Sequence, residues 1–220
     1  MAKKTEFTVY GALGSGSVCI EAALTLIGAP YRVVEGANWS NEAARKRLQK
    51  INPLMQVPAL ILPNGELMTE SAAILIWLTD SFPKAKLAPK LNSAQRAAFL
   101  RWMVYIPASI YSMFWVRDVP SRLTRSEDAE AVLLHRTAER IAECWRIMNA
   151  QVGPKKYILD DTLSVLDIYV AICSRWTPGR ARFYKEAPKL ADIVKRVDAE
   201  PRLQKFWPKR FPFEGNWERK

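Results

Sequence analysis

One histidine and three scattered cysteines are the only soft metal ligands and sulfur nucleophiles in this chain of 220 residues. Cys19, Cys144 and Cys173 are odd in number and show no CxxC spacing, which argues against a disulfide framework or a zinc site. No metal is expected. His135 falls in a polar helical stretch and reads as a solvated surface residue rather than a ligand or base. Long apolar runs are missing too. The longest uncharged stretch, Trp102 to Val116, lies between Arg101 and Arg117, contains Pro107, and is too short to span a bilayer comfortably. Met1 to Glu6 leads into a strand-like run with no apolar h-region, so no secretory signal is expected. These absences together read as a cytoplasmic protein.

Acidic charge is also scarce, with 22 Asp and Glu against 33 Lys and Arg, giving a net charge of +11 and a pI near 9.7. The excess is uneven. Between Ala171 and Lys220 there are thirteen basic residues against six acidic ones, and Arg202, Lys205, Lys209 and Arg210 interleave with Phe206, Trp207 and Phe211. Such a tail invites a nucleic-acid reading. Basic residues on solvated helix faces between core aromatics are commoner, and no recognised RNA- or DNA-binding motif accompanies these. Neither nucleic acid nor a membrane is therefore expected as a partner. Steering of an anionic substrate is a milder use of the charge.

Hydrophobic content of 49% in 25.1 kDa is enough to bury a core as one large domain or two small ones. Periodicity divides the chain. Strand Phe7 to Tyr10, a helix near Ser17 to Ile27 stopped by Gly28, and strand Tyr31 to Glu35 open it. A basic helical turn (Arg45, Lys46, Arg47, Lys50) follows, then strands Ala59 to Leu62 and Glu66 to Met68 around Pro63-Asn64-Gly65, and a helix from Ser71 to Phe82. The order βαβ-ββα implies a mixed sheet with helices on its faces. The first helix is apolar nearly all round and should be buried. Two prolines, Pro83 and Pro89, end the pattern and mark a linker. Beyond it the chain reads as helical: Ser93 to Val116 with a kink at Pro107, Ser126 to Ala150, Ser164 to Trp176, and two shorter helices flanking Glu200-Pro201. The fold class is α/β plus all-α, with domains at 1–83 and 92–220 and a linker at 84–91.

The most informative segment is Asn52-Pro53-Leu54-Met55-Gln56-Val57-Pro58-Ala59-Leu60, followed by Glu70-Ser71-Ala72-Ala73-Ile74. Pro58 has no N–H for a sheet, so it belongs at the first position of a strand or at a bulge. X-Pro bonds have ready access to cis, and a cis Val57-Pro58 bond turns the Val57 N–H and C=O outward, where an extended peptide can pair with them. Ser71 at a helix start suits a carboxylate, and Glu70 suits an ammonium. These are the needs of glutathione. Together with Val9-Tyr10-Gly11-Ala12-Leu13-Gly14-Ser15-Gly16-Ser17-Val18 and Ser164-Val165-Leu166-Asp167-Ile168-Tyr169, the segment resembles the glutathione transferase superfamily, of bacterial type, over nearly the whole chain.

That resemblance implies a thioredoxin-like first domain, an all-helical bundle as the second, a homodimer, and detoxification chemistry with glutathione as co-substrate. Catalysis in the superfamily asks the protein to hold the glutathione sulfur as a thiolate, by a hydroxyl donor and a helix N-terminus. Ser15 occupies the place of the catalytic serine in serine-type members. Ser17 competes, its other reading being a cap for the first helix. Gly14 and Gly16 let the backbone come close to a ligand, while the Gly14–Ser17 run is no dinucleotide fingerprint. Cys19 reads either as a nucleophile near a helix N-terminus or, more simply, as a small core residue. Gln56, Val57, Pro58, Glu70 and Ser71 carry over as glutathione contacts, with Trp39 or Lys50 for the glycyl carboxylate. Ser164 and Asp167 form a structural capping box. A second-substrate pocket draws on Tyr105, Tyr111, Met113, Phe114, Trp115 and Trp176, with Trp217 as a possible cover, and predicts a hydrophobic electrophile. Alternatives are a glutathione-dependent lyase (a β-aryl ether cleaving enzyme or dehalogenase), a glutathione-dependent thiol oxidoreductase, and a non-catalytic binding module, nucleic-acid or translation associated.

Overall fold

Strand β1 (Phe7–Gly11) is the middle of the sheet, because both its faces are covered and both its edges are paired. The computed structural model describes residues 6–37 and 41–213. Within them β2 (Tyr31–Glu35) lies parallel to β1, with Val9 opposite Val33. β3 (Ala59–Ile61) lies antiparallel on the other edge, with Val9 opposite Leu60, and β4 (Leu67–Met68) pairs with β3. The order is β2-β1-β3-β4. The parallel pair needs a crossover, and helix α1 (Ser17–Ile27) supplies it. α1 ends at Gly28, whose φ of 77° only a glycine adopts freely, and whose N–H reaches the Leu24 carbonyl at 3.0 Å. Helix α2 (Glu42–Ile51) starts at Asn41, whose side-chain oxygen accepts from the Ala44 N–H at 3.0 Å. Helix α3 (Ser71–Ser81) then returns to pack beside α1.

The chain crosses to the helical half through a 3-10 turn at Pro83–Ala85. Buried Arg96 grips Asp80 of α3 with two parallel bonds of 2.8 and 3.0 Å across this crossing. The helix expected from Ser93 to Val116 is three segments: α4 (Arg96–Tyr105), a π-helical stretch (Ile106–Tyr111) and α5 (Ser112–Asp118). Pro107 is the cause: it has no N–H to donate back along the ladder, so the hydrogen bonding widens there. The apolar stripe survives the change, since Trp102, Ile106, Ile110 and Phe114 are all buried. Helix α6 (Glu127–Gln151) is capped by the Ser126 hydroxyl, which accepts from the Ala129 N–H. His135 lies exposed on it. Then come α7 (Val165–Cys173), α8 (Arg180–Glu186), α9 (Pro188–Asp198), a 3-10 turn at Pro201–Leu203, and α10 (Trp207–Arg210). The α7 helix stops at Cys173 rather than Trp176, and residues 174–179 turn into a cis Thr177-Pro178 bond.

The Ser164–Asp167 capping box is present at the start of α7. Asp167, fully buried, accepts from the Ser164 N–H and hydroxyl at 2.8 and 2.7 Å and from the Ile158 N–H at 2.8 Å. Burial nonetheless wins, pushing its carboxyl up from 3.8 to about 6. The folded state therefore holds an extra proton between those values, and this residue's contribution to stability falls as pH rises through that window. Comparing urea unfolding of the wild type with Asp167→Asn isolates the effect. The wild-type advantage should shrink between about pH 3 and pH 7, by roughly 3 kcal/mol if the full shift is expressed. An advantage that grows with pH would mean that the three accepted bonds outweigh desolvation.

Candidate active site

A cleft of about 770 Å³ opens where the loop after β1 meets the helical half. One wall comes from the sheet half: Leu13 to Gly16 after β1, Asn52 and Met55 to Pro58 ahead of β3, and Glu70 with Ser71 at the head of α3. The other wall comes from the helical half: Pro107 and Tyr111 in the π-helical stretch, Ser112, Phe114, Trp115 and Asp118 on α5, Arg122 beyond it, and Trp176 and Thr177.

Ser15 stands at the base of the first wall, 7% exposed. Its oxygen accepts from the backbone N–H groups of Ala12 and Ser17, each at 3.2 Å, while its hydroxyl donates to the Ala12 carbonyl at 2.8 Å. Ser17 has a different position from the cap expected of it. It is the first residue inside α1, the cap position is Gly16, and no side chain caps that end. The Ser17 hydroxyl is fully buried because it donates to the Glu21 carboxylate at 2.8 Å, and its oxygen lies 3.0 Å from that of Ser15. Cys19 is buried as well, with its thiol directed to the Gly16 carbonyl at 2.9 Å. Burial, reinforced by Glu21, pushes that thiol far up. The other two cysteines are also buried.

The glycines of this loop also make room for the helical half. A Cβ on Gly16 would sit 2.0 Å from the Tyr111 hydroxyl, and one on Gly14 would sit 3.3 Å from the Phe211 ring. The helical half closing onto the loop leaves no room for a side chain at Gly16, and Gly14 is further set apart by its φ of 65°. Trp176 Nε1 donates to the Gly14 carbonyl at 2.8 Å, and the Gly14 N–H donates to the Arg210 carbonyl at 3.0 Å.

The Val57-Pro58 bond is cis. The loop ahead of it is shaped by buried Asn52, which donates to the Gln56 carbonyl at 2.9 Å and accepts from the Leu54 N–H at 3.2 Å. Sequence reading passed over Asn52, although an Asn-Pro pair is a turn signal. Gln56 is exposed on the wall, Val57 and Pro58 are buried, and the Tyr111 hydroxyl approaches the Val57 carbonyl at 3.4 Å. Glu70 takes a φ of 65°, a left-handed conformation that costs a glutamate about 1–3 kcal/mol and persists where surroundings fix it, often at functional sites. Ser71, buried behind it, shares a 2.6 Å bond with the Tyr169 hydroxyl of α7.

Aromatic rings make the other wall. Trp176 lies tilted against Tyr111 at 5.0 Å and meets Phe114 edge to face at 5.2 Å, and Trp115 is 42% exposed beneath the Arg122 guanidinium. Tyr105 and Met113 do not line the cleft. The Tyr105 hydroxyl donates to the Cys144 carbonyl of α6 at 2.9 Å, and Met113 packs against the main core, so contacts within the helical half claim both side chains. Lys50 is exposed on α2 and lines no part of the cleft. Trp39 and Trp217 lie outside the described residues. Asp118 and Arg122, which the sequence did not single out, put charge on the aromatic wall, and burial raises the Asp118 carboxyl. Among the described residues, no group of three or more His, Cys, Asp or Glu is placed to hold a metal ion, and no helix is long and apolar enough to cross a membrane.

Comparison with known proteins bears on this arrangement. Residues 20–81 match the family described as glutathione S-transferase, N-terminal domain. The uncharacterized GST-like protein YncG of Escherichia coli K12 is 35% identical over 197 residues, which cover 89% of this chain and 94% of that protein. Glutathione S-transferase GstA of Escherichia coli O157:H7 is 25% identical, covering 75% and 82%. Among solved structures, a glutathione transferase homologue from Sulfitobacter with bound glutathione superposes with a TM-score of 0.83 at 22% identity, covering 93% of this chain and 98% of that one. The thioredoxin-like sheet with its helical partner is thus the fold of those transferases, and the identity to YncG spans almost the whole of both chains: the chain belongs to the glutathione S-transferase family.

Proposed function

We propose that the protein is a serine-type glutathione transferase, in which Ser15 holds the glutathione sulfur as a thiolate for attack on a hydrophobic, aromatic electrophile. The observation that carries this reading is the hydrogen bonding of Ser15. Two backbone N–H groups donate to its oxygen, so its one hydrogen can swing from the Ala12 carbonyl to a sulfur in the cleft. Bonds to a charged acceptor are worth about 1.5–3 kcal/mol, enough to lower a thiol by one to two pKa units. Ser17, with its hydrogen committed to Glu21 and no place on the wall, is poorly suited to the same work.

In this reading Val57 offers its backbone to the cysteinyl part of glutathione, Gln56 and Pro58 flank it, and Glu70 and Ser71 receive the γ-glutamyl end. Solved relatives with bound glutathione support glutathione as co-substrate. Residues 1–83 would form the glutathione half and 92–220 the electrophile half. Exposed Leu100 and Val104, one turn apart on α4, and exposed Leu67 on β4 suit burial in a homodimer. Cys19, buried with its thiol pushed far up, disfavours thiol–disulfide exchange. Two of the four tail cations are paired internally, Arg210 with Glu21 and Glu35 and Arg202 with Glu200, which weakens the case for a nucleic-acid module. One observation favours a second reading. Asp118 and Arg122 on the aromatic wall suit a narrow, partly polar substrate, as a glutathione-dependent lyase would have.

Ser15→Ala should keep glutathione affinity within a few-fold but lower turnover of chlorodinitrobenzene at pH 7 about ten- to a hundredfold, with partial recovery at higher pH. Cys19→Ala should change turnover little. Full activity in Ser15→Ala with loss in Cys19→Ala would replace the reading with a thiol oxidoreductase. A wild type that binds glutathione yet never turns over this electrophile would favour the lyase.

Binding is tested separately. Glutathione should raise the melting temperature of the wild type, since a ligand of the folded state stabilises it by RT ln(1 + [L]/Kd). Glu70→Gln removes the ammonium partner at a residue that makes no structural ion pair among the described residues. It should abolish most of the shift and leave the unliganded melting point near that of the wild type. A normal glutathione shift in this variant would place the γ-glutamyl end elsewhere.

A further inference from the structure

Glu21 is the one charged residue in α1, and it is fully buried. A carboxylate in that position needs a counter-charge, because an isolated buried ion costs several kcal/mol even after relaxation. The counter-charge arrives from the far end of the chain. Arg210 of α10 binds the Glu21 carboxylate through Nε and through Nη2, the latter at 3.1 Å, and reaches Glu35 of β2 through Nη1. On its other side Glu21 accepts the Ser17 hydroxyl at 2.8 Å, and the Ser17 oxygen lies 3.0 Å from that of Ser15. A continuous chain of contacts, Ser15–Ser17–Glu21–Arg210, thus runs from the cleft wall to the C-terminal segment.

The same segment holds the loop mechanically. The Arg210 carbonyl receives the Gly14 N–H at 3.0 Å, and the Phe211 ring lies against Gly14. Arg175 fixes the segment in turn, donating to the Phe211 and Pro212 carbonyls at 2.8 and 2.9 Å and stacking on Phe211. Further groups face this centre. Cys19 lies on the same helix, and Tyr31 of β2, hydrogen-bonded to Thr25 at 3.0 Å, feels both Glu21 and Arg210.

We propose that Arg210 is a positioning residue of the thiolate site: its guanidinium cancels the buried charge of Glu21, and its carbonyl fixes the Gly14 end of the Ser15 loop. The inference rests on the reading of Ser15 given above. A thiolate formed beside Ser15 lies three contacts from the Glu21 carboxylate, by way of the Ser15 and Ser17 oxygens. Unbalanced, that charge would oppose ionisation of the sulfur. With Arg210 in place the Glu21–Arg210–Glu35 group carries only the charge of Glu35, whose side chain is half exposed to water, unlike that of Glu21.

The test is the sign of the effect in two single variants and their combination. Its readout is the ionisation of enzyme-bound glutathione, followed by the ultraviolet absorbance of the thiolate against pH, with the pH profile of kcat/KM beside it. Arg210→Met should raise the thiol pKa by about one to two units, the shift a charge at that range produces at an effective dielectric near 20. Arg210→Lys should stay near the wild type. Glu21→Gln should move the pKa the other way, because Arg210 then adds positive charge. Glu21→Gln with Arg210→Met should return it close to the wild-type value. A purely structural role would impair both single variants in the same direction and their combination most of all. Should Arg210→Met fail to fold, Glu21→Gln and the neutral double variant carry the test, and an unmoved pKa in Glu21→Gln overturns the proposal. If the wild type ionises bound glutathione and no variant shifts its pKa, Arg210 is not a positioning residue while the Ser15 reading stands. If the wild type binds no glutathione, both fall together.

Discussion

Everything in this structure is arranged around the burial of α1. The sheet and α3 cover the helix from one direction and α7 from another, so a single helix belongs to the cores of both halves. Eight of its eleven residues are buried, from Ser17 through Leu24. At roughly 1.5–3 kcal/mol for each large apolar side chain fully removed from water, this helix alone joins the halves more firmly than surface ion pairs worth 0–1 kcal/mol could. Its N-terminus must then emerge at the seam between the halves. The loop carrying Ser15 leads into that N-terminus, and the cleft is the space left where the two halves stop touching.

Burial also decides which nearby group can do chemistry. Cys19 and Ser15 are four residues apart and both close to the start of α1, where the helix dipole favours an anion. For Cys19 desolvation outweighs that help, and the thiol stays protonated at any physiological pH. Ser15 has no such handicap, because a serine acts as a neutral donor and two backbone N–H groups complete its surroundings. Asp167 shows the same competition in a milder form, where three accepted hydrogen bonds leave the carboxyl near 6 instead of higher. In each case the number of donors set against the degree of burial fixes the outcome.

Most of the fold was legible because its signals are local. Gly28 stops α1, Ser126 caps α6, Ser164 and Asp167 begin α7, and Val57-Pro58 enters β3, each within a few residues of the feature it controls. The cleft was half legible for the same reason. Ser15, Gln56, Val57, Glu70 and Ser71 sit in such local motifs and do line it. Where the reading slipped, the cause was a contact between distant segments. Tyr105 and Met113 were assigned to the cleft from a helix kinked at Pro107, but the Tyr105 hydroxyl is claimed by the distant Cys144 carbonyl and Met113 by the main core. Ser17 looked like a cap because the carboxylate that engages its hydroxyl, though only four residues away, has its counter-charge in Arg210 at the far end of the chain. Arg210 itself resembled one more solvated cation in a basic tail, and nothing within its own neighbourhood reveals a partner on α1.

The polar groups of the sheet half are consequently incomplete without the helical half. Ser71 shares its hydroxyl with Tyr169, Gly14 has its carbonyl bound by Trp176 and its N–H by Arg210, and Val57 is approached by Tyr111. Glu21 would be a bare buried charge. A thioredoxin-like sheet is able to fold around its own hydrophobic layer, but here the loop that shapes the site takes its conformation from residues more than a hundred positions away. Cooperation of this kind links binding to the integrity of the whole chain. A ligand that tightens the first wall pulls on hydrogen bonds anchored in α7, the turn at 174–179 and α10, so the two walls of the cleft are ordered by the same contacts.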